Sequence, residues 1–286
     1  MSELPSISSN GAAANGSGAE EAKPMRLGGM ALRNGLLVHG PTSWAAAVRN
    51  AKTGEIDSAS GPKPNFGGNL VAKVPLARGP IRLAEAFAVI PIARRRLPAA
   101  RLPFEDPKVI ATSAGVTLAN AGLRRLNNGE SSARLEALSL ALGLLPALVA
   151  LGGSELAAYH GVEHKAIAAY EQGSRDPTTA AKEHQRCGSN LIAPMMVFTI
   201  AGQAILERLP NGAGPLTRGV ASVGTISLAV ETFVLAERYP DSPLGRAVHG
   251  SGDAIQRLFA TREPNSEQIE VGIAAMDAVL EAEAAA

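Results

Sequence analysis

Three stretches of the chain combine high apolar content with almost no charge: 137–154, 191–206 and 220–236. Glu231, in the third stretch, is their one charged residue. Each stretch is 16 to 18 residues long, somewhat shorter than the roughly 20 residues that cross the hydrocarbon core of a bilayer. Like 107–126, they are rich in small residues, which let membrane helices pack closely. The pattern predicts membrane helices, with buried helices of a soluble α domain as the alternative.

The rest of the chain divides by composition into segments around these stretches. Residues 1–26 contain Ser, Gly, Asn and Ala without an apolar run, so we expect a disordered tail. Residues 27–72 form a small β and turn region with a hairpin over 43–60. Residues 73–240 form a helical core with three to four apolar helices, and 241–286 a C-terminal helical segment. The predicted fold is mainly α: a helical, membrane-associated bundle with a small N-terminal β-hairpin region.

Local signals add three details to this picture. Apolar residues in 80–97 predict a helix that ends or kinks at Pro91, because proline lacks the N–H of the helix ladder. The arginines at 94–96 follow this helix and mark a cytoplasmic flank. Asn265 or Ser266 precedes an amphipathic run and is predicted to cap the last helix.

Composition excludes several classes of protein. Of 286 residues, 46 % are hydrophobic and 19 % charged, which rules out a disordered or collagen-like chain. The single cysteine cannot form an internal disulfide. The formal net charge of +1 gives no electrostatic reason to expect nucleic acid as a partner.

Histidines and carboxylates share one face of a helix predicted over 155–172. Viewed down the helix axis with His160 at 0°, His164 lies at about 40°, Glu171 at about 20° and Glu163 at about −60°. Two histidines four residues apart can bind one metal ion, and a neighbouring glutamate can act as general base. His160 to His164 also fits the H-x-x-E-H pattern.

A second piece of the candidate site follows after a short turn-rich loop. His184 and Cys187 are spaced H-x-x-C, and zinc accepts both imidazole and thiolate ligands. The candidate metal ligands, of zinc or another divalent metal, are therefore His160, His164, Glu171, His184 and Cys187. Five candidates for three to four positions leave room for an open, catalytic position. The alternatives are hydrogen-bonded histidines with a core cysteine, or a purely structural zinc site.

Four further polar residues lie among these candidates. Tyr159, Lys165, Tyr170 and Arg186 are candidates for contacting substrate or supporting the ligands. Each is equally well explained as a surface or interfacial residue.

The residues that carry the candidate chemistry also carry a family resemblance. YHGVEHKAIAAYE at 159–171, followed by HQRCGS at 184–189, resembles the paired signature of the YqhQ-like bacterial proteins, domain of unknown function 1385. The segments at 28–41, 74–86 and 258–276 resemble that family's opening, second and closing blocks.

The resemblance covers roughly residues 27–280. It implies a multi-pass protein of the bacterial cytoplasmic membrane and a metal-dependent enzyme whose reaction is not established. Carried over by position, its motif residues are Tyr159, His160, Gly161, Glu163, His164, Lys165, Tyr170, Glu171, His184, Arg186, Cys187 and Gly188.

The chain departs from the family pattern at a few positions. Met30, Asn34 and His39 stand where the family has Gln, Glu and Arg, and Gln185 and Ser189 replace Pro and Thr. If the family's Glu and Arg contact substrate, this chain differs in substrate or has weakened activity.

These observations favour an integral membrane metalloprotein acting as a zinc hydrolase on an unknown substrate, with Glu163 as general base. The expected partner is the lipid bilayer, with the N-terminal tail in the cytoplasm; a second copy or another membrane protein is left open as a further partner. The alternative is a non-enzymatic membrane scaffold or assembly factor whose His/Cys/Glu cluster is structural.

Overall fold

The structure is a computed structural model that describes residues 24–68, 73–126, 132–152, 155–209 and 213–286. Most of the predicted tail at 1–26 lies outside the described residues. The first described elements are four strands: β1 (Gly28–Leu32), β2 (Gly35–His39), β3 (Ser43–Arg49) and β4 (Ile56–Pro62). They form an antiparallel sheet in the order β1-β2-β3-β4. The predicted hairpin is its β3–β4 half, and the same pairing extends to two more strands.

Both faces of this sheet are covered, which explains why β2 and β3 are apolar at almost every position. Successive side chains of a strand point to opposite faces. Leu36 and Val38 therefore belong to one buried cluster, while Leu37 belongs with Trp44 to the other. The sheet is a central layer between helices.

Nine helices follow in chain order within the described residues. They are α1 (Arg78–Arg96), α2 (Pro107–Leu126), α3 (Ala133–Gly143), α4 (Leu145–Leu151), α5 (Glu155–Glu171), α6 (Ile192–Leu206), α7 (Pro215–Arg238), α8 (Pro243–Ile255) and α9 (Ser266–Ala284). Helix α1 packs on one face of the sheet, and α5 and α9 pack on the other. The mainly α architecture with an N-terminal β region is confirmed.

Two local predictions can be compared with these bounds. Helix α1 does not end at Pro91 but continues to Arg96. Pro91 lies inside the helix, where its missing N–H removes one backbone hydrogen bond. Asn265 is the N-cap of α9: its side chain accepts from the Gln268 N–H, and Gln268 reaches back to the Asn265 N–H.

Three described stretches are long and apolar enough to cross a membrane: Arg134–Leu151, Gly188–Leu206 and Pro215–Arg238. Little of their surface is buried within the protein. In α7, for example, Leu216 is 81 % exposed and Val220 is 65 % exposed. These stretches correspond to the three apolar runs of the sequence, and each extends further than its run in at least one direction.

Candidate metal centre

Helix α5 carries the candidate ligands into the interior of the protein. It packs against β1 and β2 beside α9, on the same face of the sheet, and most of its residues from Leu156 to Ala169 are buried. Gly161 permits a close approach on one side, since a Cβ there would lie 2.2 Å from the Arg262 carbonyl oxygen. Gly29 of β1 does so on another side, because a Cβ there would lie 2.9 Å from Oε1 of Glu163.

Three of the five predicted ligands come together. The ligand atoms of His160, His164 and Cys187 all lie within 4.8 Å of one another. The Sγ of Cys187 is 3.4 Å from Nε2 of His160. Ligand atoms in a tetrahedral zinc site are about 3.3–3.6 Å apart, given Zn–N and Zn–S bonds of about 2.0 and 2.3 Å. The group therefore has nearly the dimensions of a metal centre.

Backbone carbonyls fix the orientation of both imidazoles. Nδ1 of His160 donates to the Ala260 carbonyl at 2.9 Å, and Nδ1 of His164 donates to the Lys182 carbonyl at 2.6 Å. With the proton on Nδ1, each Nε2 carries a free lone pair. This is the arrangement by which metal-bound histidines are usually oriented.

The atom that supports a metal most directly is Nε2 of His164. It is buried and has no hydrogen-bond partner among the described residues, although buried polar atoms are nearly always paired. Burial lowers the pKa of His164 to about 3, and the charge of His160 acts in the same direction. The ring is therefore neutral at physiological pH, as a metal ligand must be.

Cys187 and Glu163 share this buried environment. Burial raises the pKa of the Cys187 thiol, whose Sγ also accepts the Ser189 N–H at 3.5 Å. Burial raises the pKa of Glu163 to about 7; the charge of His160 opposes that rise and the charge of Cys187 adds to it. The Glu163 carboxyl is thus electrostatically coupled to two of the three grouped residues.

His184 and Glu171, the other two predicted ligands, pair with each other. Nε2 of His184 lies 3.2 Å from Oε2 of Glu171, and Nδ1 of His184 accepts the Arg186 N–H at 3.3 Å. Arg186 forms an ion pair with Glu171. Both ring nitrogens of His184 are therefore engaged outside the three-residue group, with its ring 5.8 Å from that of His164.

This pair lines an open cavity of about 400 Å³. Its wall carries ionisable side chains of both signs beside small apolar residues; the ionisable ones are Arg26, Glu171, Glu183, His184, Arg186 and Glu237. Because His184 is also in ring contact with His164, the cavity reaches to within one side chain of the buried group.

The remaining predicted site residues lie around this core in different roles. Tyr159 is buried in the cluster formed with the sheet and α9, and burial raises its pKa to about 12. Lys165 is buried, donates to the carbonyls of Thr178 and Ala180, and forms an ion pair with Glu263. Tyr170 lines a separate cavity of about 150 Å³ against α9.

The three residues near the N-terminus that depart from the family pattern all have packed or hydrogen-bonded side chains. Asn34 donates to the Arg49 and Ala99 carbonyls and accepts the Arg101 N–H. His39 packs beside Gly28, and burial lowers its pKa to about 4. Met30 packs against the cluster between the sheet and α1.

Sequence reasoning missed the groups that orient the ligands. The carbonyls of Ala260 and Lys182 have no sequence signature, since every residue carries one. Gly29 did leave a signal, a Gly-Gly pair at the start of a strand, where glycine often marks close approach of another group.

Comparison with known proteins agrees with the motifs. Residues 154–282 match the family described as "Protein of unknown function (DUF1385)". The DUF1385 match includes all the grouped residues and the closing block, whereas the segments at 28–41 and 74–86 lie outside it.

A curated relative supports the same family. The chain is 28 % identical over 130 residues to "Uncharacterized protein YqhQ" of Bacillus subtilis (strain 168). The alignment covers 44 % of this chain and 41 % of the relative, so it spans less than half of either protein. No solved structure matches the chain.

The geometry predicts which of the five candidates bind metal. Ala substitution of His160, His164 or Cys187 removes a ligand and should lower the zinc content of the detergent-purified protein well below one equivalent. His184→Ala should keep the wild-type zinc content, because the His184 ring contacts Glu171 and lies outside the three-residue group. Elemental analysis of each purified variant measures this. Equal loss in His184→Ala would contradict the three-residue group.

Proposed function

We propose that the chain is an integral membrane metalloprotein with a zinc-dependent hydrolytic centre formed by His160, His164 and Cys187. The observation that carries the proposal is the pair of imidazoles held with Nδ1 on backbone carbonyls and Nε2 free toward Cys187. Two nitrogens and one sulfur suit zinc. Three protein ligands also leave a fourth position open, as in catalytic rather than structural sites.

Zinc in such a site would supply a Lewis acid that polarises a carbonyl or phosphoryl oxygen and acidifies water. The chain's own residues supply the remaining functions. Glu163 would accept a proton from the attacking water and return it to the leaving group, since its carboxyl is buried beside the group and coupled to His160 and Cys187. Gly29 leaves the space that this side chain needs.

The polar cavity beside His184 would admit the substrate. Arg186 and Glu171 lie on its wall as an ion pair, and Arg26 and Glu237 add charges of both signs. Such a wall suits a polar substrate that comes from water better than an apolar one from the bilayer interior.

The three apolar stretches would cross the bacterial cytoplasmic membrane. Their 18, 19 and 24 residues correspond to about 27–36 Å of helix, close to the hydrocarbon thickness of about 30 Å. Many of their apolar side chains are exposed, among them Val197, Leu216 and Val220. Large exposed apolar patches are uncommon on soluble proteins, which favours membrane helices over buried helices of a soluble domain. Cys187 directly precedes the Gly188–Leu206 stretch, which would place the centre at one membrane surface.

Membrane insertion has a direct test. After extraction of bacterial membranes with alkaline carbonate, the chain should remain in the pellet, because helices that cross the bilayer are not released by charge repulsion. Immunoblotting of pellet and supernatant measures this. Quantitative release into the supernatant would support a soluble α domain and overturn the membrane proposal.

The catalytic proposal predicts a separation of function from metal binding. Glu163→Gln should retain zinc and fold normally but fail to restore growth to a deletion strain under a condition that impairs it, because the amide cannot accept the proton. Glu155→Gln, at the exposed start of the same helix, is the matched control and should restore growth. Full complementation by Glu163→Gln would favour the scaffold function instead.

A further inference from the structure

A single π-helical turn, Gln256–Ala260, follows α8 directly. The turn is closed by Thr261, whose N–H and hydroxyl both donate to the Gln256 carbonyl, at 2.9 and 3.0 Å. Such isolated turns are rare and often occur at functional sites. This one contacts both α5, which carries His160 and His164, and the segment that carries Cys187.

The side chain of Gln256 holds the segment that carries Cys187. It is fully buried, and its Oε1 accepts the His184 N–H at 2.7 Å. Its Nε2 donates to the His184 carbonyl at 3.2 Å and to the Ser189 hydroxyl at 3.0 Å. One amide therefore fixes the backbone three residues before Cys187 and a side chain two residues after it.

The other end of the same turn holds α5. The Ala260 carbonyl accepts from Nδ1 of His160, and the Arg262 N–H donates to the Ala157 carbonyl at 2.9 Å. Gly161 lets the Arg262 carbonyl approach closely. Residues 256–262 therefore hydrogen-bond both to the His160 ring and to the segment that carries Cys187. Nε2 of His160 and Sγ of Cys187 are 3.4 Å apart.

We propose that Gln256 is a positioning residue that sets where the Cys187 thiolate sits relative to His160 in the metal-bound protein. The proposal rests on the proposed metal centre and adds to it the group that fixes its sulfur ligand. Gln256 would not be a ligand itself, because its amide is hydrogen-bonded to the backbone of His184 and the hydroxyl of Ser189, and it acts through these two residues.

Cobalt(II) substitution tests this role, because thiolate coordination to cobalt gives a near-ultraviolet charge-transfer absorption that imidazole ligands do not give. Gln256→Leu keeps the size of the side chain and removes all three hydrogen bonds. We expect its cobalt affinity to fall about 10–100-fold, as for other groups that support metal ligands, and the absorption per bound cobalt to weaken. Gln185→Leu, an exposed change in the same segment, should match the wild type in both.

Gln256→Glu separates positioning from general stability. It keeps an acceptor for the His184 N–H but loses both donors, so it should fall between wild type and Gln256→Leu in absorption per bound cobalt. Thermal unfolding of the metal-free variants shows whether each one folds. If Gln256→Leu does not fold, the absorption per bound cobalt of Gln256→Glu tests the role of Gln256. Wild-type absorption per bound cobalt in every folded variant would overturn the role of Gln256. Failure of the wild type to bind cobalt would overturn the metal centre itself, and this role with it.

Discussion

Two hydrogen bonds from imidazole to backbone carbonyl determine what the centre of this protein can do. Because His160 and His164 each donate through Nδ1, both rings present Nε2 to the same space as the Cys187 thiol. With the opposite tautomer, the Nε2 proton of either ring would point at the other ligands and block a metal. Without a metal, the buried Nε2 of His164, which has no hydrogen-bond partner among the described residues, costs free energy that no bond offsets. Coordination to a metal in the proposed centre would supply that bond.

The two carbonyls come from distant parts of the chain, so the geometry of the centre depends on tertiary contacts and not on helix α5 alone. Lys182 precedes the Cys187 segment, whereas Ala260 belongs to the turn after α8. The sheet contributes from the opposite side, because Gly29 leaves room for Glu163. Helix α9 closes the same core through Val271 and its neighbours. A site assembled from so many elements needs a rigid surrounding core, which the covered sheet supplies.

The sequence was informative where a local spacing has a fixed consequence in space. Histidines four residues apart must share a helix face, and each apolar run of 16 to 18 residues corresponds to a stretch that is long and apolar enough to cross a membrane. It did not show that His184 would pair with Glu171, because a loop separates the two and its path is set by tertiary contacts. Nor did it indicate Gln256, since a glutamine in a helix is common. Of the two outcomes expected at Pro91, an end of α1 is wrong, because the helix continues past it to Arg96 and packs on the sheet on both sides of this residue through Val89 and Ala93.

Zinc K-edge X-ray absorption on the zinc-loaded protein in detergent tests the His160, His164 and Cys187 centre directly. We expect one sulfur at about 2.3 Å together with imidazole nitrogens at about 2.0–2.1 Å, since Cys187 is the chain's single cysteine. Zinc surrounded by oxygen and nitrogen alone, with no sulfur, would contradict it.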